Sequence, residues 1–485
     1  MSEPIPERAD IRQLRIQAKE LLRSLSNGEK LADAQLAIAR KYGFDSWPKL
    51  VESIEKPVLL DKFKRAIYEG DLATLERLLR TKSVLRKHLD DPMFDFDSPA
   101  VVFASHHPHA ETLLPLLVKY GADLNVRSKW WAGGFGALDH ASSKTADLLV
   151  ELGAKFDVFS AASQGRIDVL RQLLDVDPAS VNAPGGDGQR PLHVAKTPEI
   201  AELLIQRGAD LEICDIDHES TPIQYHANNS DILRILVKRG AKPDIFTAVI
   251  LEDVDLVKKI LEENPAAAEA RTGSPPFVTT KSNGGHIYIY LLGNGKTPTQ
   301  VAAERGNRAV LDHLTKESSP VRRLIAAAWL EDNEAVEEIL RNQSNFVAEI
   351  GTDARAITDA AQAGQTETVR LLLTAGFDPN TPGMDSGSAL HVACWFGYVD
   401  IVRLLVDRVP VDLKDRNHGS PPLGWAAHGS QWCNNPKGDY VAVVEALVVA
   451  GADLNAPANS GGTSMLDQAG QREDVKDVLR KYGAI

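Results

Sequence analysis

Apolar positions along most of this chain come in paired helical bursts. In residues 63–80, FKRAIYEGDLATLERLLR, a short segment with small residues near its centre meets a Gly-Asp turn, and a Leu-Leu step follows at helical spacing. The same order of residue types returns at 159–174 (FSAASQGRIDVLRQLL), 246–261 (FTAVILEDVDLVKKIL), 324–340 (LIAAAWLEDNEAVEEIL), 357–380 and 463–484. Each burst predicts two short helices. The Ala-Ala step keeps the first helix thin, so neighbouring units can approach closely, and the leucines of the second fill the space between layers. Glycines such as Gly376 and Gly451 come after the second helices, where a positive φ is needed to end them.

The sharpest unit is Ser388 to Gly429. It reads S-A-L-H-x-A-C-x-x-G and continues into the apolar run Ile401, Val402, Leu404 and Leu405. The phase then returns, since Leu390 and Leu423 take the same place in successive units, thirty-three residues apart. This resembles the ankyrin repeat, whose signature is T-P-L-H-x-A followed by a second helix. The resemblance implies an all-α fold, an α-solenoid of about thirteen ankyrin-like repeats with β-hairpin loops. His193 and His391 match the signature histidine that hydrogen-bonds within the repeat, and Cys394 takes the second small position of its helix, so all three are expected to be structural.

Residues 10 to 57 lack this repeat pattern. Ile11, Leu14, Ile16, Ala18, Leu21 and Leu22 recur at helical spacing, and Ala32, Ala34, Leu36, Ala37 and Ala39 begin a second helix. Gly43 fits a helix stop, and Ser46-Trp47-Pro48 fits an N-cap with proline in the first turn. The expected organisation is an N-terminal helical cap at 1–57, hiding the end of a repeat array at 58–485. The leading segment resembles that of some bacterial ankyrin-repeat proteins.

A binding surface is expected where the chain departs from the scaffold. A long finger at 265–296 enlarges one hairpin, and within it His286 to Tyr290 alternates as a strand, making Tyr288 and Tyr290 candidate contacts. An insertion at 430–440, SQWCNNPKGDY, separates the two helices of one repeat and carries Trp432. A third departure, Val126 to Phe135, carries Trp130 and Trp131 towards a hairpin tip. The family resemblance implies binding through hairpin tips and the inner ends of first helices. Trp329, Trp395, Phe396 and His428 fall at such ends, and with Trp425 and Trp432 they predict an aromatic patch in the C-terminal third.

Composition narrows the partners. The chain has 485 residues, too many for one compact core, with 43% hydrophobic and 25% charged positions. Its formal net charge of -13 argues against a general nucleic-acid or anionic-membrane binder, because both need a basic footprint, and it favours basic partner segments. Three cysteines suggest a reducing compartment, no run reaches the length of a membrane span, and the N-terminus lacks a signal-peptide apolar core, so the cytoplasm is expected.

Known chemistry is sparse. Gly293-Asn-Gly-Lys-Thr297 lacks the first glycine of a phosphate loop, and Thr297-Pro298 reads better as a repeat start. His106-His107-Pro108-His109 has no nearby cysteine and falls at an interhelix turn, so no metal and no cofactor are expected there. Asp139, Asp359, Asp385 and Asp415 put carboxylates near inner helices and hairpins. The leading expectation is a protein–protein interaction scaffold using its concave face and fingers. The alternative is a small-molecule or saccharide binder, or a glycoside-type hydrolase, in the aromatic and acidic C-terminal groove.

Overall fold

The computed structural model describes residues 10–24, 30–316, 318–343, 346–433 and 435–485. Helices dominate it, and no strand occurs among the described residues. The β-hairpins expected at the loop tips are reduced to two isolated bridges, Phe94 with Ser98 and Arg127 with Gly136. Short 3-10 turns such as Gly186–Gly188 and Met384–Ser386 make the tips instead.

The N-terminal helices Ile11–Ser24 and Leu31–Lys41 form a small core of their own around Leu14, Ala18, Ile38, Ala39 and Leu50. Ser46 caps the next helix by accepting the Lys49 N–H, with proline in the first turn. That helix, Trp47–Tyr68, runs straight through residue 57 and places Phe63, Ala66 and Ile67 in the core of the following repeat. Cap and first repeat therefore share one helix.

The chain forms two compact units. One comprises the residues up to Lys242 together with Phe277–Leu291, and the other comprises Pro243–Pro276 with Leu292–Ile485. Helix pairs of the second unit include Ala356–Gln362 with Thr366–Thr374, Ala389–Phe396 with Val399–Leu405, and Pro422–Trp432 with Tyr440–Val449. Thr297 shows why such helices start where they do. Its hydroxyl accepts the Gln300 N–H, the Gln300 side chain accepts the Thr297 N–H, and Pro298 supplies a preset first turn. Leu372, Leu405 and Leu447 on the second helices are fully buried between layers, where truncation to alanine costs about 2–5 kcal/mol.

The first helices pack closely because their facing positions are small. Ala393, Cys394, Ala426 and Ala427 are fully buried, and a Cβ on Gly429 would collide with the Trp395 carbonyl oxygen. The signature histidines join neighbouring repeats. His193 accepts the Arg190 N–H at Nδ1 (2.9 Å) and donates from Nε2 to the Ser220 carbonyl (3.1 Å). His391 repeats this with Ser388 N–H (3.2 Å) and the Ser420 carbonyl (3.2 Å).

The strand expected at His286–Tyr290 is instead the helix Ile287–Leu291. Five residues are too few for period two to be told from a helical turn, and a helix satisfies its own backbone without a partner strand. The finger around it folds down. The Glu219 carboxylate accepts the N–H groups of Thr280 (2.7 Å) and Lys281 (2.6 Å), and Ser220 Oγ accepts the Ile287 N–H (3.2 Å). Residues 277–291 therefore lie as a strap on the 215–220 loop.

Candidate binding site

Three helices and three successive loop tips of the second unit line an open cavity of about 420 Å³. Trp395 comes from Ala389–Phe396, Trp425 and His428 from Pro422–Trp432, and Gln468 from the short helix Met465–Gln468. The tips contribute Asp385, His418 and Asn459.

The aromatic rings are set by the scaffold. Trp395 and Trp425 stand nearly perpendicular, with centroids 6.2 Å apart, and His428 lies 5.4 Å from Trp395 at an interplanar angle of 32°. Trp425 is buried and donates its indole N–H to Asp415 Oδ2 at 2.9 Å. Gly387 makes room for it, since a Cβ there would lie 2.8 Å from the Trp425 ring. Burial alone would raise the Asp415 carboxyl, but donation from Trp425, the His418 N–H (2.6 Å) and the Ser420 N–H (3.1 Å) holds it below the ordinary value.

The polar groups give the cavity a sign. Burial lowers the His428 pKa, its Nδ1 is hydrogen-bonded to the Gln468 amide, and the ring is therefore neutral near pH 7. Asp385 is exposed at the mouth, and among the described residues no lysine or arginine lines the walls. Two indole rings and one carboxylate suit a cation or a neutral apolar group. At this volume the cavity takes one large side chain or a small ligand.

The other residues expected at the site lie elsewhere or only border it. Trp432 is 68% exposed, its ring 6.3 Å from His428, and extends the aromatic row past the cavity. Phe396 is half-buried and stacks on Tyr398 at 5.7 Å. Trp329 is buried under the Lys296 ammonium, 5.5 Å from the ring centroid, beside Glu304 and Asp359, so it belongs to a separate internal charge cluster. Tyr288 is 0% exposed, packed on Phe277 (5.4 Å) and His286 (5.0 Å), which makes it a core residue of the strap. Tyr290 is 63% exposed and donates its hydroxyl to the Gly284 carbonyl. Trp130 is half-buried and donates to Asp187 Oδ1 at 2.9 Å, while its neighbour Trp131 is 55% exposed.

Sequence reasoning missed His418, Asn459 and Gln468. A signal for His418 exists in the chain. The run Asp215-Ile-Asp-His-Glu-Ser220 returns as Asp415-Arg-Asn-His-Gly-Ser420. In both copies the first aspartate accepts the histidine N–H (2.7 and 2.6 Å) and the serine N–H (2.8 and 3.1 Å). The motif builds a loop that presents its histidine at a tip.

Comparison with known proteins agrees with this architecture. A family model described as ankyrin repeats matches residues 158–247, 324–417 and 357–458. The cyclin-dependent kinase 4 inhibitor B of Rattus norvegicus is 32% identical over 111 residues, which covers 85% of that protein and 22% of this chain. The chain is an ankyrin-repeat protein. The E3 ubiquitin-protein ligase KEG of Arabidopsis thaliana is 26% identical over 372 residues, 73% of the ankyrin chain but 20% of that protein. The ankyrin repeat and SAM domain-containing protein 6 of Mus musculus is 32% identical over 91 residues, 18% of the ankyrin chain and 10% of that protein. The ankyrin chain thus spans a fifth or less of the length of these two relatives. Ankyrin repeats are, in general, protein–protein interaction scaffolds. Among the described residues no helix is long and apolar enough to cross a membrane.

Proposed function

We propose that this ankyrin-repeat protein recognises an extended, basic segment of a protein partner, and that the Trp395–Trp425–His428 cavity anchors one lysine or arginine of that segment. The observation that carries the reading is the cavity itself, with two indole rings, a neutral His428 and the Asp385 carboxylate at its mouth. A cation over an indole face gains about 0.5–2 kcal/mol, more as water is excluded. The net charge of -13 adds long-range attraction, which raises the association rate more than the affinity. Exposed Trp432 extends the contact beyond the anchor. Three free thiols support a reducing, cytoplasmic setting.

The saccharide-hydrolase reading has less support. That chemistry uses two carboxyl groups facing one bond, about 5–9.5 Å apart. Among the described residues Asp385 is the one carboxylate lining the cavity, and Asp415 is engaged by three donors. A neutral or cationic small ligand remains compatible with the same walls.

The test is a peptide array probed with the purified full chain. Peptides with a central arginine or lysine should be retained at least tenfold better than matched glutamate peptides, and Trp395→Ala should abolish the difference. Retention independent of both peptide charge and Trp395 refutes the proposal.

A further inference from the structure

We propose that Asp187, Asp217 and His218 form a binding site for a divalent transition cation of the Zn²⁺ kind, located under the 277–291 strap in the first unit. One ligand atom from each residue lies within 4.8 Å of the other two. The three come from two successive loop tips, which the main chain locks together. The Asp187 carbonyl accepts the N–H groups of Ile216 (2.9 Å) and Asp217 (3.2 Å).

The tautomer of the neutral His218 ring follows from its surroundings. Its Nδ1 lies 2.8 Å from the Gly285 carbonyl, which can only accept, so Nδ1 carries the proton. In the neutral ring Nε2 then presents a lone pair towards Asp187 Oδ2, 3.8 Å away. That separation is too long for a hydrogen bond. Two ligands on one tetrahedral ion with bonds of roughly 2.0–2.2 Å lie about 3.3–3.6 Å apart, so a small closing movement brings this pair onto an ion. A metal-bound histidine commonly donates its other N–H to a backbone carbonyl, which fixes both tautomer and ring orientation. Gly285 supplies that carbonyl here.

Asp217 is a second, independent pointer. It is 8% exposed, and its carboxylate faces the same cluster without a hydrogen-bond donor among the described residues. A carboxylate so largely buried and without a donor is stabilised by a cation beside it. Gly284 of the strap packs closely on this carboxylate, since a Cβ there would lie 2.6 Å from Asp217 Oδ1. Asp187 is oriented by the Trp130 indole N–H on Oδ1, which leaves Oδ2 for the ion. Two carboxylate oxygens and one imidazole nitrogen suit Zn²⁺, with water completing the shell, better than they suit a thiol-seeking ion or an all-oxygen Ca²⁺ cage.

The second unit holds a natural comparison. Asn417 stands at the motif position of Asp217, so the C-terminal copy lacks this carboxylate. The metal site and the peptide cavity lie in different units and fail or succeed separately.

The experiment uses the full chain, stripped with EDTA, dialysed and titrated calorimetrically with ZnCl₂ alone. Wild type and Trp395→Ala should each bind one ion more than Asp217→Asn, or bind it at least tenfold more tightly, and the ion should raise the melting temperature of wild type. Identical isotherms for wild type and Asp217→Asn, or no uptake by wild type at micromolar Zn²⁺, overturn the site and leave the imidazole–carboxylate contact as an ion pair. Should Asp217→Asn fail to fold, Co²⁺ decides on wild type. A visible absorption band displaced by one equivalent of Zn²⁺ supports the site, and no band overturns it.

Discussion

Trp425 donates its indole N–H to the Asp415 carboxylate across 2.9 Å, and this bond ties the wall of the cavity to the loop that presents His418. Phenylalanine at 425 keeps an aromatic ring, though a smaller one, and removes the donor. Losing one donor from a buried charged acceptor costs about 1–3 kcal/mol. Asp415 titrates below its ordinary value in the folded chain, so its contribution is complete above the unfolded pKa and is lost as pH falls through the folded one. Trp425→Phe should therefore lower the urea midpoint at pH 7 and move the onset of acid unfolding to higher pH, both read by circular dichroism.

The close approach of the two inner helices sets the cavity's width. A methyl group on Gly429 has nowhere to go except into the Trp395 carbonyl oxygen, which is backbone and cannot swing aside. Gly429→Ala should push the helices apart, destabilise the second unit by about 1–3 kcal/mol and weaken peptide binding together with stability. Differential scanning calorimetry and a binding isotherm on the same preparation check both effects.

Asp139 is buried beside Arg127, with its Oδ2 2.7 Å from the guanidinium. Burial pushes its carboxyl up to about 6, and Arg127 offsets this only in part. The folded chain thus holds a proton that the unfolded chain has released between about pH 4 and 6. Linkage then requires this group to add stability as pH falls through that window, by about 1–3 kcal/mol in all. In Asp139→Asn the increment should be missing. Urea midpoints at pH 4.5, 5.5 and 6.5, taken as wild type minus variant, isolate it.

Glu219 fastens the strap with both carboxylate oxygens, accepting two backbone N–H groups and the Thr280 hydroxyl. Glu219→Ala should raise the hydrogen-exchange rates of Thr280 and Lys281 at least tenfold and leave the Leu390–Cys394 segment unchanged. Equal acceleration in both places contradicts a local fastening role.

The repeat scaffold was legible because its requirements are periodic. Leu390, His391, Ala393 and Cys394 are buried or hydrogen-bonded as their positions in the unit demand. The grouping of Trp395, Trp425 and His428 was legible for the same reason, since one period brings the ends of inner helices side by side. Tyr288 and Trp329 misled because a single aromatic residue carries no sign of which way it faces. Tyr288 sits in a strap whose fold depends on Glu219, some sixty residues earlier, and Trp329 is covered by Lys296 from another repeat. The cation cluster was hidden for the same reason. His218 reads as a motif histidine until the distant Gly285 carbonyl fixes its tautomer.

The most direct test of the recognition proposal is calorimetric titration of the strongest arginine-centred peptide against wild type, Trp395→Ala and Trp131→Ala, each checked for an unchanged melt. Trp131 is exposed in the other unit and serves as the control for aromatic loss. The proposal predicts at least tenfold weaker binding for Trp395→Ala and wild-type affinity for Trp131→Ala. Equal affinity for all three proteins contradicts it.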